Sequence, residues 1–190
     1  MSPFHPIVVL PSGTVQLDLT LPRAQRTGPT SRFWVGRYDE NRPHDYDQPI
    51  FEGTRTLHVG LDLGGPAGVA VHAWSEGVVI HSGYNPDPGD YGHVIVCEQL
   101  LDGRPIYTLL GHLNAAAILS SPAGRTFRGG DVLGWLGQPA ENGGWPPHVH
   151  VQLAWERPTT HDLPGVVAFA DRAEALLRYP DPRRIGQGLP

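Results

Sequence analysis

Glycine and proline set the limits on what this chain can fold into. Of its 190 residues, 24 are glycine and 20 are proline. A proline inside a helix removes a hydrogen bond and clashes with the preceding turn, and a glycine there costs about 1 kcal/mol relative to alanine. Spread along the whole sequence, the two leave little room for long helices and mark many turns. Between them lie short runs in which Val, Leu and Ile alternate with polar residues, the pattern of strands. Strands are expected at 15–20, 32–38, 69–73, 77–81, 93–98, 105–109, 132–136 and 148–153. One helix is expected over 168–178, stopped by Pro180-Asp181-Pro182. Residues 23–31 read as a polar loop. Residues 39–48, dense in Asp, Asn, Pro and His, read as the most loop-like stretch, able to sit over an active site.

With 39% hydrophobic residues, the chain has material for one well-buried domain and not for two. The expected division is N-terminal strands and a loop over 1–50 packed on a core at 51–160, followed by a C-terminal helix and tail over 161–190. A formal net charge of −5 without a basic run gives no reason to expect nucleic acid or an anionic membrane as partner. No segment approaches membrane-spanning length, and the first residues lack a charged start followed by an apolar stretch. As written the sequence reads as cytoplasmic, and as extracytoplasmic if a leader is missing. No feature sets an oligomeric state. The single cysteine, Cys97, excludes a disulfide framework and a cysteine-ligated metal, and its strand-like surroundings make it a small core residue. Paired glycine turns and apolar strands, Pro66-Ala67-Gly68-Val69-Ala70-Val71 and Phe127-Arg128-Gly129-Gly130-Asp131-Val132-Leu133-Gly134, echo each other as in a compact sandwich. Biotinyl and lipoyl carrier domains share that pattern but carry a modified lysine, whereas the cations here are arginines.

Two segments, His58-Val59-Gly60-Leu61-Asp62 and His148-Val149-His150, together offer two imidazoles and a carboxylate, the ligand set of an open catalytic zinc site. On a straight strand His58 and Asp62 would stand roughly 13 Å apart, so the segment must bend. Gly60, free to adopt unusual dihedrals, is the expected place. In the second segment strict alternation puts His148, His150 and Gln152 on one face and Val149, Val151 and Leu153 on the other. Neighbours on one face are about 6–7 Å apart, so one imidazole can hold a metal while the other addresses a substrate. Three ligands leave a fourth position for water, whose pKa on zinc falls to about 7. No His-Glu-x-x-His pattern is present, so proton transfer or oxyanion stabilisation falls to histidine, with His148 and His112 the candidates. Pro146 and Pro147 stiffen the start of the strand, and Trp145 is placed to form a cleft wall. His5, His44, His72, His81, His93 and His161 read as surface or packed residues.

These elements resemble the lysostaphin-like zinc endopeptidases, also called LytM-type or β-lytic metallopeptidases, which cut short peptides of bacterial peptidoglycan. His58-Val59-Gly60-Leu61-Asp62 is similar to the family's H-x-G-x-D element, residues 107–113 to its Y…HL element and His148-Val149-His150 to its H-x-H strand, over residues 56–155. The resemblance implies a mainly β fold, a compact antiparallel sandwich or barrel-sandwich hybrid with an open groove, long loops and a short C-terminal helix. It implies one Zn2+ per chain held by His58, Asp62 and His150, with His112 and His148 as non-ligating catalytic histidines. The implied substrate is a peptide or peptidoglycan-like chain.

Two departures stand out. Extra residues separate Tyr107 from His112, which puts the counterpart role of Tyr107 in doubt. Gly143-Gly144-Trp145-Pro146-Pro147 replaces the usual Ser/Thr-Gly-Pro. Arg37-Tyr38-Asp39-Glu40 and residues 141–147 resemble a subgroup fused to kinase-like and aminotransferase-like domains, for which a cell-wall substrate does not follow. The alternative to an endopeptidase is a zinc-containing peptide-binding or regulatory module acting in the cytoplasm with little turnover, and a deep closed pocket would point instead to a small-molecule hydrolase. In the loop at 41–47, His44 is the exception among the surface or packed histidines: it or a nearby carboxylate could fill the open metal position and hold the enzyme latent, which the sequence leaves open.

Overall fold

The alternating runs become strands that assemble around one long antiparallel sheet. The computed structural model describes residues 4–26 and 32–186. In chain order the strands are β1 (Val15–Gln16), β2 (Trp34–Gly36), β3 (Glu40–Asn41), β4 (Arg55–His58), β5 (Leu61–Gly64), β6 (Ala70–His72), β7 (Gly77–Asn85), β8 (Gly92–Leu101) and β9 (Arg104–Leu113). Helix α1 (Ala115–Ser120) follows, then β10 (Thr126–Phe127), β11 (Val132–Trp135), β12 (His148–Ala154), β13 (Val166–Ala168) and helix α2 (Arg172–Arg178). Eight strands form the main sheet in the order β1-β2-β5-β12-β9-β8-β7-β10, antiparallel except for β1 beside β2. β6 and β11 make a two-stranded ribbon, and β3, β4 and β13 a small second sheet.

The main sheet is covered on both faces. One face packs Leu61, Leu63, Ile95, Ile106, Leu110, Val149, Val151 and Leu153 with Val71, Leu133 and Leu136 from the ribbon and Ile7 and Val8 from the N-terminal segment. On the other face Tyr107 and Ala154 meet Leu57 and Val59 of the small sheet and Ala175 and Tyr179 at α2. Beside them Tyr91, Val94, Val96 and Leu109 form a smaller cluster. Cys97 is buried in the first of these cores, as its surroundings predicted. Among the described residues no helix is long and apolar enough to cross a membrane.

Several expected boundaries shift, each for a physical reason. The expected strand at 105–109 runs from Arg104 to Leu113, because Asp102 and Gly103, both at positive φ, turn it tightly back from β8 into a ten-residue ladder. The helix expected over 168–178 starts only at Arg172; Val166–Ala168 instead pairs with β4, and Phe169–Asp171 is a 3-10 turn. Helix α1 was not expected. Its sign is local: an alanine run behind Asn114, whose side chain accepts from Ala117 N at 3.1 Å as an N-cap. The stretch at 39–48 is not all loop, since Glu40 and Asn41 pair with His58 and Leu57. In the polar stretch at 23–31, Arg23–Gln25 forms a 3-10 turn and residues 27–31 lie outside the described residues.

Candidate metal centre and active site

The register of the sheet brings the two sequence segments together. His150 on β12 stands opposite Asp62 on β5, and its other neighbour in register is Gly111 on β9. His58 comes from the small sheet, because the chain leaves β4 at Val59, bends at Gly60 and enters the main sheet as β5. The bend is where the spacing required it, but its cause is different from the expected one. Gly60 does not use the left-handed region. A Cβ there would lie 2.3 Å from Cε1 of the His150 ring, so glycine is needed to let that imidazole close on the backbone.

Three donor atoms then meet. His58 Nε2 lies 3.0 Å from His150 Nδ1, and Asp62 Oδ1 lies 3.1 Å from the first and 3.2 Å from the second. All three side chains are buried. The proton positions follow from the outer partners, since a carbonyl oxygen only accepts. His58 Nδ1 donates to the Arg37 carbonyl at 2.8 Å, and His150 Nε2 donates to Gln152 Oε1 at 3.2 Å. Two imidazole lone pairs and a carboxylate oxygen therefore face one point, an arrangement suited to a cation. Zinc bonds of about 2.0–2.1 Å at tetrahedral angles place donors roughly 3.3 Å apart, close to the observed separations, so the residues fit a zinc-sized ion. Among the described residues no other trio of His, Cys, Asp or Glu converges in this way.

Electrostatics favour the neutral imidazole of His58 and the ionised carboxylate of Asp62. Burial, then the Arg42 guanidinium, pushes His58 down to about 4. Burial alone would raise Asp62, yet His58 and Arg42 hold it well below the usual carboxylate range.

His112 and His148 stand beside the trio without joining it. Their rings are 4.4 Å apart, and His148 Nε2 is 3.7 Å from Asp62 Oδ1. Each is anchored through Nδ1–H to a carbonyl, His148 to Pro146 at 2.7 Å and His112 to Asn142 at 2.8 Å. That leaves both Nε2 atoms with lone pairs. Burial lowers both pKa values, in His112 with help from His148 and His150, so both rings are neutral near pH 7. His112 adopts φ +62°, a strained conformation for a residue with a Cβ. It lies in a bulge where Gly111 and His112 oppose only Val94. The bulge redirects the strand end toward the cleft.

A cleft of about 890 Å3 opens on all five residues, walled by Trp34, Tyr46, Phe51, Tyr91, Trp145 and Leu163. Trp145 forms the expected wall, fixed by Nε1–H to the Gly89 carbonyl at 3.0 Å. His44 does not reach the site: it is exposed and does not line the cleft. Arg42 of the same loop does, donating to Asp62 Oδ2 at 2.7 Å. Tyr107 packs in the second core, away from the cleft. The ring at the site is Tyr91, 5.4 Å from His112 and 5.3 Å from His150 between ring centres. Sequence reasoning missed Tyr91, Arg42 and Asn142. Gln152 was legible from the alternation that placed it on the face of His148 and His150.

The sequence profile described as peptidase family M23 matches residues 56–161. The chain belongs to peptidase family M23. All five site residues of this M23 chain fall inside the matched span, whereas Arg37 and Arg42, which contact two of the three donors, lie before it. No curated protein matches the chain. Solved structures similar to the M23 chain include a zinc-containing peptidase from Vibrio cholerae, 19% identical, covering 80% of this chain and 37% of that one with a TM-score of 0.48. The catalytic domain of lysostaphin from Staphylococcus simulans is 22% identical, with coverages of 57% and 77% and a TM-score of 0.43. The catalytic domain of the prophage-encoded M23 protein EnpA from Enterococcus faecalis is 19% identical, with coverages of 70% and 88% and a TM-score of 0.49. The chain spans little more than a third, 37%, of the length of the Vibrio peptidase.

Proposed function

We propose that this M23 chain is a zinc-dependent metalloendopeptidase that hydrolyses peptide bonds of peptidoglycan-type or other small-residue peptides. His58, Asp62 and His150 are the residues that hold the metal. His112 and His148 are the catalytic histidines. The observation that carries this reading is the pair of neutral imidazoles beside the donor trio, each with Nδ1–H tied to a backbone carbonyl and Nε2 left to address a bound molecule. A metal kept only for stability would need no such pair, and structural zinc is usually closed by four protein ligands.

When bound, zinc supplies a Lewis acid and an acidified water. The protein supplies the rest. An anchored ring of the His112 and His148 pair accepts a proton at Nε2 as the attacking oxygen loses it; so protonated, it donates to the developing oxyanion and then returns the proton to the departing amine. Their fixed backbone partners hold both rings in position without reorganisation. The aromatic walls give an extended peptide apolar surface and keep bulk water from the reacting bond.

The test is digestion of a peptide library and of intact peptidoglycan, each with and without chelator. Chelator-sensitive cleavage of either supports the endopeptidase. Retention of peptides without cleavage by metal-loaded protein would replace it with a binding module.

A further inference from the structure

The two oxygens of Asp62 have different partners. Oδ1 faces His58 and His150, while Oδ2 accepts from Arg42 Nη1 at 2.7 Å. Arg42 is only 4% exposed, and its remaining donors are engaged. Nε donates to Glu40 Oε2 at 2.9 Å and Nη2 to the Arg37 carbonyl at 3.1 Å, while Nη1 also faces the Tyr46 hydroxyl at 3.2 Å. The Arg37 carbonyl is the one that orients His58. Glu40 is likewise buried, and its other oxygen accepts from Arg37 Nε at 2.7 Å and Leu19 N at 3.2 Å. The pair is also packed from behind: a Cβ at Gly36 would lie 2.8 Å from Asp62 Oδ2 and 2.9 Å from Arg42 Nη2. A buried guanidinium with this many charge-assisted bonds has nowhere else to go.

A carboxylate can ligate through one oxygen or both. We propose that Arg42 is a positioning residue that makes Asp62 a one-oxygen ligand. It turns Oδ1 toward the two histidines and withholds Oδ2, so that the position a second carboxylate oxygen would take stays open to water and substrate. The loop at 39–48 thus acts on the metal centre from behind the carboxylate. The proposal rests on reading His58, Asp62 and His150 as the metal site.

Cobalt(II) is the probe, with affinity read by chelator competition and coordination read by visible absorption. Asparagine has a single acceptor oxygen, for which Arg42 and the metal compete. In D62N, Arg42 takes that oxygen and turns the amide NH2 toward the histidines, so cobalt affinity falls by about 100-fold or more. In D62N/R42M the oxygen is released to the metal and affinity recovers about tenfold or more over D62N. D62N/R42Q, with a side chain too short to reach Asp62 but able to bond Glu40, gives the same recovery and stands in should the methionine variant not fold. R42M alone weakens the visible bands as a second oxygen enters the coordination sphere, and R42K keeps the wild-type spectrum. Equal affinities of D62N and the double variants, or an R42M spectrum identical to wild type, overturn the role of Arg42 alone. Failure of the wild-type chain to bind cobalt overturns the metal centre and the proposal with it.

Discussion

Strand β12 buries both of its faces, and the two are filled by different physics. Val149, Val151 and Leu153 point into an apolar core of aliphatic and aromatic side chains. His148, His150 and Gln152 point the other way, toward a carboxylate, backbone carbonyls and the rings of Tyr91 and Trp34. Apolar packing is non-directional, so the first face tolerates residues of similar volume. On the second face the contacts are directional, with Nδ1 of His148 and Nε2 of His150 tied to fixed acceptors and Nε2 of His148 left free, and an error there removes chemistry before it removes the fold.

Substitutions on the two faces should separate accordingly. The largest effect is expected from His150→Ala, which should lower metal affinity by about a thousandfold or more, while His148→Ala keeps metal but loses about 10²–10⁴ in kcat. Metal analysis and turnover on the same preparations check this, and full occupancy in the His150→Ala protein would contradict the ligand assignment. On the opposite face Leu153→Ala should cost about 2–5 kcal/mol of stability in denaturant unfolding. Its folded fraction should still bind metal normally, and a parallel loss of metal affinity would show that the two faces are coupled.

A smaller effect separates the faces by pH. In the metal-free protein His58 is held down to about 4, against 6.5 for an ordinary histidine. Between those values the unfolded chain binds the extra proton. The stability that the neutral ring contributes is therefore complete above about pH 6.5 and is lost as pH falls toward 4, by an amount on the order of 1 kcal/mol or more. His112 and His148, also lowered, act in the same direction. Chelator-treated protein unfolded in urea at several pH values reads this, and stability that rises on acidification through that window would reverse the sign.

The strands were legible where alternation was strict, and so was the convergence of His58, Asp62 and His150, whose spacing makes sense around a shared centre; His112 and His148 entered as candidate histidines, with their role implied by the family resemblance. Tyr91 and Arg42 were not legible. Tyr91 precedes β8 in an otherwise ordinary turn, and its place between His112 and His150 depends on the bulge at Gly111 and His112. Arg42 lies in a stretch whose composition signals only a loop, and its burial follows from β3 pairing with β4, a contact between residues 16 to 18 positions apart. Tyr107 shows the reverse: a residue that the motif brought forward is turned by strand alternation into the second core.

By itself the sequence determined that this chain would be mainly strand, that the His58–Asp62 segment had to bend, and that one face of residues 148–153 would be polar. Those properties follow from local sterics and from the two-residue period of a strand, which act between near neighbours. Tertiary structure alone decided why the bend needs glycine, which oxygen of Asp62 faces the histidines, and which loop residue reaches the site. Each depends on atoms brought within about 3 Å by strand register between distant segments, and lone-pair direction and steric contact take effect only at that range.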